Sequence, residues 1–139
     1  MTNNLIKQVR AYEVLDSRGN PTVAAEVILN SDEKSMAFVP SGASTGKYEA
    51  SEKRDNDDSR YLGKGVLGAV EAINTEINSI LRGKDPSNTK EIDTLLIESD
   101  GTSNKSNFGA NAILGVSMAC SKVAAQMLNL ELYDFIHLQ

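Results

Sequence analysis

The sequence predicts an α+β fold, a three-stranded antiparallel meander followed by a layer of three to four helices. Three observations carry this. The stretch "TVAAEVIL" alternates with a period of two, the pattern of a strand. From about Ser59 onward apolar residues recur at steps of three and four, the pattern of helices. Turn-rich stretches separate the segments at short intervals, so sequential strands are expected to be neighbours. Strands first and helices after place a helical layer on one face of one sheet.

The first strand is "LIKQVRAYEVL", rich in Val, Ile and Tyr and ended by the turn cluster "DSRGNP". The second is "TVAAEVIL": Val23, Ala25, Val27 and Leu29 face one way, and Thr22, Ala24, Glu26 and Ile28 the other. "NSDEK" reads as a hairpin loop, and "SMAFV" as a short third strand stopped by Pro40. The first helix carries Val66, Ala69, Val70, Ile73, Ile77, Ile80 and Leu81 on one stripe, and Gly83 supplies a left-handed stop. Asp85-Pro86 is expected to begin the second helix, Asp85 as its cap and Pro86 in its first turn. Ile92, Leu95 and Leu96 form its apolar face. "DGTSNKSNFG" is a polar loop, "ANAILGVSMACSKVAAQML" a helix apolar on most sides and so central, and "ELYDFIH" a short last helix.

A chain of 139 residues suits one domain, spanning 1–139, and 40% hydrophobic residues suffice for a core without disulfides or structural metals. A net charge of -5 offers no basic field for phosphates, and 5% aromatic residues without Trp offer no base-stacking surface, so nucleic acid is excluded as the main partner. The lone cysteine, Cys120, has no internal disulfide partner and reads as a small buried apolar residue. The N-terminus lacks the layout of a signal peptide, and no apolar run reaches the ~20 residues that cross a bilayer. A soluble, cytoplasmic chain is expected, with no membrane insertion.

The stretch "VPSGASTGKYEA", Val39 to Ala50, looks at first like a phosphate-binding loop. It fails the pattern G-x-x-x-x-G-K-[ST]: Gly42 and Gly46 enclose three residues, Tyr48 stands where a magnesium-holding hydroxyl is needed, and the preceding strand belongs to a meander. Two readings stay open on the residues alone. One is an ordinary surface loop; the other is a lid whose glycines concentrate backbone freedom at both ends and whose Ser and backbone oxygens suit Mg²⁺.

The motifs "DSRGNPTV", "VPSGASTGKYEA", "RYLGKGV", "ESDGTSNKSNFGANAILGVSMA" and "LY", in that order from about Val9 to Tyr133, resemble the N-terminal domain of enolase, phosphopyruvate hydratase. The resemblance implies a small α+β domain placed ahead of a large eight-stranded α/β barrel. It also implies a glycolytic lyase that reversibly dehydrates 2-phosphoglycerate to phosphoenolpyruvate. That chemistry removes a carbon-bound proton beside an already negative carboxylate, and so needs concentrated positive charge; enolase-superfamily sites use a Lys or His base with one or two Mg²⁺ ions. In the family the lysine base, the glutamate acid and the three carboxylates of the first metal belong to the barrel. The resemblance therefore implies no catalytic residue in this chain, whose share is the lid Ser41, Gly42, Ala43, Ser44, Thr45 and Gly46. Ser44 corresponds to the serine that binds the second, substrate-dependent Mg²⁺, and Ala43 with its neighbours to residues that close over the substrate.

Other residues are expected to be structural. His137, the only histidine, does not stand at the family's His position, which corresponds to Phe135, and reads as a solvated helix end. Asp55, Asp57 and Asp58 in "EKRDNDDSR" lack the spacing of a calcium loop and read as a solvated turn before a helix. Arg18 is implied to lie in structure near the barrel, without an assigned ligand. The resemblance also implies a homo-oligomer. Ala24 stands where many enolases carry a glutamate that helps to pair subunits, an exposed ion pair worth only about 0–1 kcal/mol. Family members also occur at the cell surface or secreted. A stand-alone interaction module derived from this domain is the competing reading.

Overall fold

The computed structural model describes residues 4–42 and 46–139. Three strands, β1 (Ile6–Leu15), β2 (Pro21–Leu29) and β3 (Lys34–Phe38), form one antiparallel sheet in the order β1-β2-β3, the expected meander. Four helices follow. The first, α1, runs Leu67–Ala72, passes through a π turn at Ile73–Ile77 and ends with Asn78–Leu81. Then come α2 (Thr89–Asp100), α3 (Ala110–Met127) and α4 (Leu132–His137).

Register follows from which strand face is apolar. Ala11 pairs with Ala25 and Ala25 with Ala37, and this row, with Val9, Val23, Val27 and Leu29, is buried beneath the helices. Ile73, Ile77 and Leu81 of α1, Ile92 and Leu96 of α2, and Val116, Ala119 and Val123 of α3 complete the same core. Cys120 lies in it, 1% exposed, and burial pushes its thiol up to about 12. Helix α3 lies across β2 and β3 because Gly115 removes a side chain at the crossing. A Cβ there would stand 2.9 Å from Val39 Cγ2 and 3.4 Å from Ala25 Cβ. Phe135, 1% exposed, holds α4 against Ala124 and Ala125, a burial worth about 1.5–3 kcal/mol.

The opposite sheet face follows the expected alternation, yet most of its central strand is also inaccessible. Ala24 is paired with Tyr12 on one side and Phe38 on the other, and these two larger side chains leave it 0% exposed. Glu26 is covered similarly and accepts a hydrogen bond from Arg10 Nε at 2.6 Å.

Two elements differ from the sequence expectation. Asp85 does not cap a helix: its carboxylate holds the N–H and hydroxyl of Ser87 in a turn, at 2.9 and 2.7 Å, and Pro86 sits in that turn. Helix α2 begins later with Asn88 as N-cap, whose Oδ1 accepts from the N–H of Glu91 at 3.2 Å, while Asn88 Nδ2 donates to the Glu91 carboxylate at 3.1 Å. Asn88 thus caps the helix through its side-chain oxygen, while its own backbone N–H donates to Asp85 O at 3.2 Å. The stretch from Ser59 to Val66 is not helical in the expected sense. It turns through left-handed backbone at Tyr61, Leu62 and Gly63 (φ 48°, 55° and 83°) before α1 starts. Gly83 ends α1 in the left-handed region as expected, φ 81°.

Candidate functional site

The loop Ser41–Gly46 leaves the sheet from a fixed point. Val39 is 3% exposed; its N–H donates to Val23 O at 2.9 Å and its carbonyl accepts from the Thr22 hydroxyl at 2.7 Å. Two residues on, Ser41 is half-buried and its Oγ accepts from Arg54 NH2 at 3.0 Å. Gly42 and Gly46 are exposed, while Ala43, Ser44 and Thr45 lie outside the described residues.

The returning chain is pinned by residues distant in sequence. Ser51 N–H donates to Asn104 O at 2.8 Å, and Ser51 O accepts from Ala110 N–H at 2.7 Å. Asn111, 3% exposed, uses its side-chain amide as a strand would: Oδ1 accepts from Lys53 N–H at 3.0 Å and Nδ2 donates to Lys53 O at 3.1 Å. Lys53 Nζ adds a hydrogen bond to Asn107 O at 2.8 Å. Gly109 makes this approach possible. Its φ is 96°, and a Cβ would stand 2.4 Å from Asn111 Oδ1 and 2.5 Å from Lys53 Cβ.

The loop that supplies Asn104 and Asn107 is itself held by one carboxylate. Asp100, 4% exposed, accepts from the N–H of Phe108 at 2.7 Å, the N–H of Thr102 at 3.0 Å and the Thr102 hydroxyl. Burial opposes its ionisation, but these hydrogen bonds outweigh burial and hold the carboxyl below its ordinary range.

The acidic stretch 52–60 turns out to cap rather than merely to face solvent. Asp55 accepts from Leu67 N–H and Gly68 N–H, both at 2.9 Å, and Glu13 accepts from Val66 N–H at 2.9 Å and from Arg60 NH2 at 2.6 Å. Carboxylates thus meet the free N–H groups at the start of α1, where the helix dipole favours them. Burial raises the Glu13 carboxyl, and the hydrogen bonds from Arg60 and Val66 more than offset this, so its net shift is downward. Asp57 holds Ser59 within the turn, as a solvated turn residue does.

Between the two flanks of the loop lies a cavity of about 460 Å³, lined by Gly42, Gly46, Glu49, Ala50, Ser51, Glu52, Arg54 and Asn104. Its wall offers carboxylate, hydroxyl and carbonyl oxygens, hard donors of the kind Mg²⁺ takes. Among the described residues no group of three or more His, Cys, Asp or Glu side chains is placed to hold a metal ion.

The family model for the enolase N-terminal domain matches residues 6–136. The chain belongs to the enolase N-terminal domain family. The three-stranded antiparallel sheet followed by helices is the α+β arrangement of that domain, and membership relates the chain to a family of lyases. Within this enolase domain the residues singled out from sequence separate cleanly. Gly42 and Gly46 line one cavity and Ser41 bonds to Arg54 in its wall, whereas His137 is exposed at the end of α4 and lines none of that cavity. Arg18 lies in the β1–β2 turn, where its N–H donates to Asp16 Oδ1 at 2.9 Å. Among the described residues no helix is long and apolar enough to cross a membrane.

Sequence reasoning missed Arg54, Asn111, Asp100 and Glu13, whose hydrogen bonds hold Ser41, Lys53, Phe108 and Val66 in place. A buried asparagine just after Gly at a helix start, "FGAN", was the one available signal, since a polar side chain on an otherwise apolar helix must find a partner.

Proposed function

We propose that this chain is the loop-bearing N-terminal domain of a magnesium-dependent enolase that reversibly dehydrates 2-phosphoglycerate to phosphoenolpyruvate. The observation that supports the reading is the setting of the residues on either side of 43–45. The flanking segments are anchored by buried groups, and Gly42 and Gly46 border a cavity walled by oxygen donors, in a chain whose family match spans residues 6–136.

In this reading Ser44 contributes its carbonyl and hydroxyl to the second Mg²⁺, and Ala43 with its neighbours covers the substrate. Magnesium, when bound there, would supply positive charge against the charge that develops on the substrate's carboxylate. The chain's own residues bind, orient and exclude water. Excluding water lowers the local dielectric and strengthens each charge interaction within the site. The proton-transferring groups and the first metal site are assigned to an α/β barrel joined to this domain. Support for such a covering body comes from a groove of about 300 Å³ between β3 and the last two helices, rimmed by the exposed side chains of Phe38, Leu132 and Ile136. Assembly into a homo-oligomer and a cytoplasmic location, with cell-surface or secreted forms as in some relatives, belong to the same proposal. An interaction module without catalysis is the alternative that the following tests separate.

The native protein is first sized with an antibody to this segment; a species about three times 15.0 kDa is expected, because a barrel of this type adds roughly 250 residues. In that protein Ser44→Ala impairs turnover and raises the magnesium concentration needed for half-maximal rate. Kinetics unchanged across a magnesium titration would sink the assignment of Ser44, and a native species of 15.0 kDa would favour the interaction module.

A further inference from the structure

We infer that Arg54 is a positioning residue that fixes where the loop leaves the sheet; the inference rests on the loop reading given above. Its guanidinium joins three separate segments of chain. NH1 donates to Pro21 O at 2.6 Å and Lys64 O at 2.8 Å, and NH2 donates to Ser41 Oγ at 3.0 Å and Glu52 Oε2 at 3.1 Å. Pro21 opens β2, Lys64 ends the turn before α1, and Ser41 is the first residue of the loop. The backbone beneath Arg54 is fixed on both sides, by Asn111 at Lys53 and by the hydrogen bond from Asp55 N–H to Gly65 O at 2.8 Å. Held at its base and at its tip, the side chain acts as a strut between the rigid frame and Ser41.

The chemistry requires arginine. Its planar fork presents donors in divergent directions at fixed geometry, whereas a lysine ammonium is a single point with three donors and cannot span all these acceptors. Two carbonyls from the frame hold the fork, and Glu52 neutralises it, which leaves one N–H directed at the Ser41 hydroxyl. Arg54 and Glu52 also line the cavity, but among the described residues of the loop it is Ser41 that Arg54 touches, so an effect on where the loop leaves the sheet passes through that contact.

The test is a double-mutant cycle with Arg54→Lys and Ser41→Ala in the complete native protein. The readout is the magnesium concentration giving half-maximal dehydration of 2-phosphoglycerate. A hydrogen bond to a charged group supports an effect of about tenfold for Arg54→Lys when Ser41 is present. The same change made in the Ser41→Ala background is expected to have less than about threefold effect, since the link is already gone. An equal factor in both backgrounds overturns the inference, because Arg54 would then act through Pro21 and Lys64 or from its own place in the cavity wall, and not through Ser41. Where Arg54→Lys does not fold, Ser41→Ala carries the test: raised magnesium demand with an unchanged melting temperature supports the strut, and unchanged demand overturns it. A second readout needs no substrate. In the 139-residue chain the ¹H–¹⁵N resonances of Ser41 and Gly42 are expected to move on Arg54→Lys and to stay in place when the same change is made on Ser41→Ala. Equal movement in both backgrounds overturns the link. A wild-type protein that fails to turn over 2-phosphoglycerate overturns the functional reading and leaves the resonance test of the link intact.

Discussion

Replacing Asp100 by alanine removes one acceptor from three donors: Phe108 N–H, Thr102 N–H and the Thr102 hydroxyl. Thr102 is exposed, so its two donors regain water and their loss costs little. Phe108 is 1% exposed, and its N–H has no replacement partner. A buried donor left unpaired costs about 1–3 kcal/mol, and the loss of a charged acceptor puts this case in the upper part of that range, so Asp100→Ala is expected to cost about 2–3 kcal/mol. Asp100→Asn keeps one acceptor oxygen and is expected to cost about half as much. Urea unfolding followed by circular dichroism at neutral pH measures both. The pH dependence is a second, independent check. The folded carboxyl lies below its ordinary value of 3.8, so in that range the unfolded chain binds more protons and stability rises with pH. The contribution is fully present above the unfolded value and is lost as pH falls through the folded one. The gap between wild type and Asp100→Ala should therefore narrow below about pH 5. A loss under about 0.5 kcal/mol, or an acid limb identical in the two proteins, refutes the reasoning that this carboxylate organises the loop.

Gly109→Ala is expected to be severe for two separate reasons. A left-handed φ of 96° strains any side chain, and the new Cβ would stand 2.4 Å from Asn111 Oδ1. Strain and overpacking together amount to roughly 2–4 kcal/mol, read as a large fall in melting temperature, and a fall of less than 2 °C would contradict the geometry. Cys120 should resist alkylation in the native protein at pH 8, because it is 1% exposed and its thiol is pushed up to about 12. Mass spectrometry after iodoacetamide treatment is expected to find labelling only once urea has unfolded the chain; rapid native labelling would mean that the core around α3 opens.

The regular elements were legible because their signal is local. The alternation in β2 and the stripe Val66 to Leu81 each lie within a window shorter than twenty residues, and the strand ends fall within one residue of expectation. Where two local rules compete, the fold decides between them. Asp85-Pro86 resembles a helix start, yet it is the Asn88 side-chain oxygen that accepts from the N–H of Glu91, and that cap marks where α2 begins. The same limit applied to "EKRDNDDSR". Asp55 is solvated by composition but capping by position, because the N–H groups it meets are those of Leu67 and Gly68, twelve and thirteen residues away.

The parts that were not legible share one physical cause. Asn111 to Lys53 crosses 58 positions, Glu13 to Arg60 crosses 47, and Arg54 to Pro21 crosses 33. Each joins a polar group to a partner that only the finished fold brings near. These bonds concentrate on residues 49–66, a stretch with no long helix or strand of its own beside the loop. A segment without a ladder of its own must satisfy its backbone groups elsewhere, and here Glu13 of β1, Asn111 of α3 and the carbonyl of Asn104 receive N–H groups from it. It follows that polar substitutions at Asp100, Asn111 and Arg54 disturb the loop's flanks more than apolar trimming of the outer helix faces does. The described flanks of the loop, Ser41 and residues 49–55, take their order from a frame assembled by long-range hydrogen bonds, which a linear reading could not find.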